Sequence, residues 1–313
     1  MKPITRRAWL AAAGLQAVSA AAKADSSLRA KARKNLKLGV FTSVYSEFPV
    51  EKAAARIQAD GFSEVVLQFS FADVRFDPAA PDWGAAREMT RTFAQHGIGI
   101  AALAGYYNIV DPDDARRRRG EQQMRFLLSN WERLGSRIVC TETGTLNTKS
   151  EWLEAPENQT EPAYRQCRST LADLAKTAAG TGAVLAIEPY WRNVIDDARR
   201  AERLFRDVGM ANLKLVMDPC NFYRKADLAR MQPVLEDIFE RVGPQTAIAH
   251  AKDVKAAPDG TDLPASGMGV LDYPLYLRLL ARLDREIPLI IEHLSLADVP
   301  RARDFVLRRF DEI

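Results

Sequence analysis

The chain of 313 residues is 47% apolar and 27% charged, which fits a soluble globular protein and gives room for one α/β barrel of about 250 residues. A formal net charge of +3 without a concentrated basic stripe argues against a nucleic-acid partner. The three cysteines, Cys140, Cys167 and Cys220, have no paired spacing, so no disulfide framework is expected and they read as buried free thiols.

Residues 1–24 read as an export signal. Thr5-Arg6-Arg7-Ala8-Trp9-Leu10 gives a basic start, an alanine-rich apolar stretch follows, and Ala22-Lys23-Ala24 supplies a small-x-small end. The paired arginines ahead of Leu10 are of the twin-arginine type, which addresses folded proteins to the twin-arginine export machinery. The expected location is the periplasm or the exterior. No stable membrane anchor is expected, because no other run approaches transmembrane length. Export in the folded form would let a metal load in the cytoplasm, away from competing zinc and copper. Residues 25–35 read as a linker.

From residue 36 onward, short apolar runs alternate with helix-like stretches. Strands are predicted at 36–41, 64–69, 98–103 and 137–141, with helices at 50–60, 83–96 and 121–134. A long helix at 161–180 leads into a strand ending at Glu188. Helix 198–208, a strand to Asp218, helix 228–242 and a strand to His250 follow. Helix 273–283, a strand to Glu292 and helix 297–310 complete the chain. Eight strand–helix units close a parallel barrel. An open doubly wound sheet would need a glycine-rich loop after the first strand, and Phe41-Thr42-Ser43-Val44-Tyr45 has no glycine. The expected fold is α/β, a single (β/α)8 TIM barrel over residues 36–313.

Four apolar runs in the C-terminal half each end in a residue able to bind a metal: Glu188, Asp218, His250 and Glu292. C-terminal strand ends converge on one face of a barrel, so residues distant in sequence become one site. Two glutamates, an aspartate and a histidine form a mostly oxygen-donor set suited to one divalent ion. Mn²⁺ is expected, with Mg²⁺, Co²⁺ and Zn²⁺ as alternatives.

At Ile187-Glu188-Pro189, Asp218-Pro219-Cys220-Asn221, His250-Ala251-Lys252-Asp253, Gly267-Met268-Gly269-Val270-Leu271-Asp272 and Ile291-Glu292-His293, the chain resembles the xylose isomerase-like barrels. That superfamily includes sugar isomerases and epimerases, inosose dehydratases and apurinic endonucleases of the endonuclease IV type. The resemblance implies Glu188, Asp218, His250 and Glu292 as the four metal ligands. The DxxN, HxKD and GxGxxD pieces look most like the ketose 3-epimerase branch. Asn221 stands where free-sugar epimerases usually have a histidine, and Trp191, Arg192 and Asn193 where they have an acid; this bears on the substrate rather than the metal. With only His96, His250 and His293, the chain lacks the histidines of a trinuclear zinc nuclease. Barrels of this superfamily often form dimers or tetramers, so a homo-oligomer is a further expectation.

The expected activity is a metal-dependent isomerase or epimerase acting through an enediolate on a small-molecule sugar, a ketose or keto-sugar derivative. Glu188 and Glu292, from opposite sides of the strand series, are the candidate proton-transfer pair. Asp218 and His250 are mainly ligands, and the second nitrogen of His250 is expected to find an acceptor. Lys252 would steady the enediolate or form a salt bridge to Asp253 or another nearby acid. Asn221 and Arg192 are candidate hydroxyl binders. Tyr106 and Trp191, with Tyr45, Tyr107 and Trp152, are candidates for an apolar wall. Glu142 and Asp253 are candidate acids behind the ligands. The export signal argues against a phosphorylated substrate. Two other readings stand beside this one: a lyase, either a dehydratase or a keto-glycoside-cleaving enzyme using the same proton abstraction, and a non-catalytic periplasmic carbohydrate-binding protein.

Overall fold

The computed structural model describes residues 26–313, so the export signal expected over residues 1–24 lies outside the described residues. Strands β1 (Leu36–Phe41), β2 (Glu64–Leu67), β3 (Gly99–Ala104), β4 (Ile138–Glu142), β5 (Val184–Glu188), β6 (Leu213–Met217) and β7 (Thr246–Ala251) run in chain order. A short hairpin of β8 (Lys255–Ala257) and β9 (Gly260–Asp262) precedes β10 (Ile287–Ile291). The barrel strands close in the order β1-β10-β7-β6-β5-β4-β3-β2, and every barrel pair is parallel. The expected eight-stranded TIM barrel is the observed fold.

The helices are α1 (residues 26–35), α2 (Val50–Ala59), α3 (Trp83–Gln95), α4 (Asp114–Leu134), α5 (Glu161–Thr181), α6 (Ala198–Val208), α7 (Met231–Val242), α8 (Tyr273–Arg282) and α9 (Val299–Arg309). Their ends follow local chemistry. Asp82, Asp113, Thr160, Asp197 and Asp272 accept hydrogen bonds from first-turn amides, which satisfies donors that a helix start leaves free. Gly135, Gly182 and Gly209 end α4, α5 and α6 in the left-handed region. The cap at Asp113 also explains why α4 begins at Asp114 rather than at the predicted Glu121.

Residues 26–35 are a helix, not the linker the sequence predicts. Leu28 and Ala32, four apart, face the core, and the other positions are polar apart from the exposed Ala30. Arg29 Nε donates to the Ile313 carbonyl at 3.0 Å, and Lys31 pairs with Asp284 at 2.8 Å. The helix therefore ties the start of the barrel to its end, a tertiary gain that the short, polar segment does not announce.

Two apolar layers organise the molecule. The larger lies between the strands and the helices. The smaller fills the barrel interior with Phe41, Val66, Cys140, Ala186, Val216, Ile248 and Ile290, one from each of seven strands, and with Ala101 and Ala102 from β3. Strand side chains alternate faces, so the residue two positions farther along also points inward. From Cys140, Ala186, Val216, Ile248 and Ile290 that step reaches Glu142, Glu188, Asp218, His250 and Glu292. The site is the polar layer resting on this apolar floor.

Candidate metal centre

Glu188, Asp218, His250 and Glu292 are all buried, and one donor atom from each lies within 4.8 Å of the others. His250 Nδ1 sits 3.4 Å from Glu188 Oε1, 3.7 Å from Asp218 Oδ2 and 3.5 Å from Glu292 Oε2. One ring nitrogen nearly equidistant from three carboxylates, at lengths beyond good hydrogen bonds, marks a shared centre rather than a pairwise contact. Neither His250 nitrogen has a hydrogen-bond partner. A fully buried imidazole with both nitrogens unpaired is costly, and a divalent ion at the shared centre removes part of that cost. The donor set fits such an ion. The acceptor expected for the second nitrogen is not there: among the described residues Nε2 is unpaired, and the ring instead packs edge-on against Phe41, 5.4 Å between centroids.

Lys252 enters the same layer from just beyond β7. Its Nζ is 2.6 Å from Asp218 Oδ2, 2.6 Å from Glu292 Oε1 and 3.9 Å from Glu188 Oε1. Burial alone would strip its proton, but Asp218, Glu292 and Glu188 outweigh burial and hold its pKa well above the usual lysine value. Lys252 thus pairs with two of the candidate ligands, Asp218 and Glu292, and not with Asp253. Asp253 turns away from the cluster: its carboxylate accepts from the amides of Val254, Gly267 and Leu271 at 2.9, 3.0 and 2.9 Å. It organises the long β7–α8 connection rather than the candidate metal centre.

Glu188 is held from two sides. Tyr106 Oη donates to Oε2 at 2.9 Å, and Asn221 Nδ2 donates to Oε1 at 2.7 Å. Asn221 reaches it because Asp218 caps a single 3-10 turn, Pro219–Phe222, by accepting from the Cys220 amide. Glu142 pairs in register with Glu188 on the adjacent strand. Burial, and then the charge of Glu188, push its pKa up to about 8, so it holds its proton at neutral pH.

A cavity of about 760 Å³ opens above this layer. Tyr106, Glu142, Trp152, Glu188, Asn221, Lys252 and Glu292 line it, as the sequence suggests. Arg192 and Trp191, expected as substrate contacts, do not line it. The Trp191 ring lies between the guanidinium groups of Arg192 and Arg224, at 4.5 and 5.3 Å, and its Nε1–H donates to Thr261 Oγ1 at 3.0 Å. A side chain on Gly260 (φ +124°) would meet the ring at 2.8 Å, so the β8–β9 hairpin closes directly over it. Arg192 donates to the carbonyls of Trp152 and Asp259, both at 3.2 Å. Both residues build the wall from behind. Tyr45, bonded to Asp60 at 2.9 Å, and Tyr107, packed on Gly120, also point elsewhere.

The sequence reading missed Gln68, Tyr190, Leu263 and His293 in the lining. Gln68 and Tyr190 were within reach, since each stands two residues past an inward residue, Val66 and Glu188. His293 had no such signal. It takes φ +56°, a region that side chains other than glycine seldom adopt, and its Nδ1–H donates to the Leu263 carbonyl at 2.6 Å.

Burial alone would drive the proton off His250, but Glu292 and Glu188 raise its pKa well above the usual value in the metal-free protein. That proton stabilises the metal-free fold below about pH 6.5, the ordinary histidine value. The contribution is lost as pH rises through the raised value. An entering ion displaces the proton. Binding is therefore expected to release about one proton per ion and to tighten roughly tenfold per pH unit below the raised pKa. Calorimetry in two buffers of different protonation enthalpy measures this; zero release would mean that His250 is already neutral.

The arrangement agrees with comparisons to known proteins. The family described as xylose isomerase-like TIM barrel matches residues 44–307. No curated protein sequence matches the chain. A xylose isomerase-like TIM barrel protein from Mycobacterium smegmatis, in complex with magnesium, superposes with a TM-score of 0.66 at 17% identity, over 89% of this chain and 97% of that one. An L-ribulose 3-epimerase gives 0.65 at 19% identity, over 88% and 95%. IOLI protein with a bound zinc atom gives 0.62 at 14%, over 88% and 99%. At these identities the likeness speaks for the fold, while the match over most of the sequence speaks for kinship: the chain belongs to the xylose isomerase-like TIM barrel family.

Proposed function

We propose that the protein is a divalent-metal-dependent isomerase or epimerase that acts on a ketose or keto-sugar derivative through an enediolate. The observation that carries this reading is the convergence of Glu188 and Glu292 on one buried centre with Asp218 and His250, beside a cation, Lys252, in a cavity open to a small molecule. An ion held by Glu188, Asp218, His250 and Glu292 would polarise the carbonyl and adjacent hydroxyl of the substrate. Glu292 is the candidate base: burial alone would keep its proton on, but Lys252, 2.6 Å from Oε1, and His250 hold its pKa well below the usual carboxylate value, so it stands ready as the anion. It takes the proton from the carbon beside the carbonyl. Glu188, fixed by Tyr106 and Asn221, would take up a proton from solvent and return it from the other face. Lys252 Nζ offsets the negative charge that builds on the substrate oxygens.

A lyase shares the first proton removal and expels a group from the next carbon. Glu142 favours this second reading, because a carboxyl that keeps its proton at neutral pH can protonate a leaving group. Incubating the metal-supplemented protein with free ketoses and oxidised glycosides in deuterated water, followed by NMR, separates the two. Deuterium beside the carbonyl with an inverted centre supports the epimerase. Deuterium with loss of water or an aglycone supports the lyase. Absence of exchange on every substrate overturns both.

A further inference from the structure

Four tryptophans fall among the described residues, and three are committed to the fold. Trp83 lies between Phe126 and the Arg133 guanidinium, at 5.6 and 3.4 Å. Trp131 donates its Nε1–H to the Thr181 carbonyl at 2.9 Å. Trp191 is enclosed by Arg192 and Arg224. Trp152 is different. It is 56% exposed, and its indole has neither a ring nor a hydrogen-bond partner among the described residues.

Its backbone, in contrast, is pinned on both sides. The Trp152 amide donates to Ser150 Oγ and its carbonyl accepts from Arg192, both at 3.2 Å. Thr145 Oγ1 and Asn147 Nδ2 donate to the next two carbonyls, of Leu153 and Glu154, at 2.8 and 2.9 Å. A large apolar face is thus held in water by a fixed loop, at a place where the ring lines the cavity. Val44, Leu263 and Leu294 line it too, all only partly buried. The carboxylates and Lys252 occupy the deep end, at the strand termini. A cavity near 760 Å³ lies in the upper part of the range that encloses drug-sized ligands, so one sugar ring on the charged layer leaves an apolar outer space.

We propose that this outer space is a second subsite, in which Trp152 stacks on the aromatic aglycone of a glycosidic substrate whose sugar ring lies on the carboxylate layer. The sugar end rests on the function proposed above; the aglycone end rests on Trp152 and the aliphatic rim. The pinned loop supplies the stacking face already ordered, so little conformational freedom is lost on binding.

Oxidised phenyl β-glucoside and oxidised methyl β-glucoside carry the same keto-sugar and differ by the ring, and their affinities for the full chain are measured by calorimetry. The phenyl compound is expected to bind roughly three- to tenfold more tightly, the contribution of one well-placed aromatic pair. Trp152→Ala should erase that advantage while Trp152→Phe keeps most of it. Equal binding of the two glucosides by the unaltered protein, or an advantage that survives in Trp152→Ala, overturns the subsite. The deuterium-exchange experiment fails or succeeds separately. A Trp152-dependent phenyl advantage without exchange on any sugar leaves the subsite standing and removes the isomerase.

Discussion

Replacing Glu292 by Gln is expected to slow deuterium exchange into a substrate by roughly a thousandfold while leaving the far-ultraviolet circular dichroism unchanged. The amide keeps the shape of the carboxyl group, so packing is retained, but it can neither accept the proton nor offer an anionic oxygen to an ion. General-base loss alone typically costs about 10²–10⁴ in rate. Glu188→Gln should lose a similar factor, because its carboxylate is the second proton-bearing group. Its amide would also face Tyr106 and Asn221, which now donate to both oxygens, and one of those hydrogen bonds would be lost. If both variants exchange at the rate of the unaltered protein, the two-carboxylate mechanism is wrong whatever the substrate.

Lys252→Met should act in two opposite directions. In the metal-free protein, three buried carboxylates are partly offset by Lys252 and the protonated His250. Removing one member of a buried ion pair typically costs about 3–5 kcal/mol, and for a domain of this size that is a fall in melting temperature on the order of 5–10 °C. The same ammonium, 2.6 Å from two of the candidate ligands, repels an entering cation. Its loss should therefore tighten divalent-ion binding by at least about tenfold, and saturating ion should restore most of the lost melting temperature by mass action. Thermal melts with and without Mn²⁺ read both effects. A metal-free variant that melts with the unaltered protein would mean that Lys252 contributes no charge balance.

Much of this site follows from the two-residue period of a strand. Once Ala186, Val216, Ile248 and Ile290 are taken as inward residues, the faces of Glu188, Asp218, His250 and Glu292 are determined, and Glu142 and Gln68 follow by the same step. That period stops where the strand stops. Trp191 and Arg192 lie three and four residues past Glu188, in a loop whose direction is set by its contacts with Thr261, Asp259 and Asn221, and no pattern in the segment itself reveals it. Lys252 is the intermediate case: it lies two residues past His250, so its entry into the charged layer was legible, while its choice of Asp218 and Glu292 over Asp253 was not. The hairpin at Lys255–Ala257 and Gly260–Asp262 has strands of three residues with little β-forming character. It is held by the residues beneath it. Helix α1 escaped notice for a related reason, because its apolar stripe is only two residues deep.

The interior layer from Phe41 to Ile290 has a consequence for timing. It closes the barrel below the carboxylates, so the cavity does not continue through the barrel. On the proposed function, an ion and a sugar would both enter from above, on the side of Trp152 and Leu263. A seated sugar would then act as a stopper, slowing the removal of the ion by a chelator outside. Residence time of the ion and its affinity become separate quantities, the first governed by how often the mouth is vacant and the second by the four side chains below.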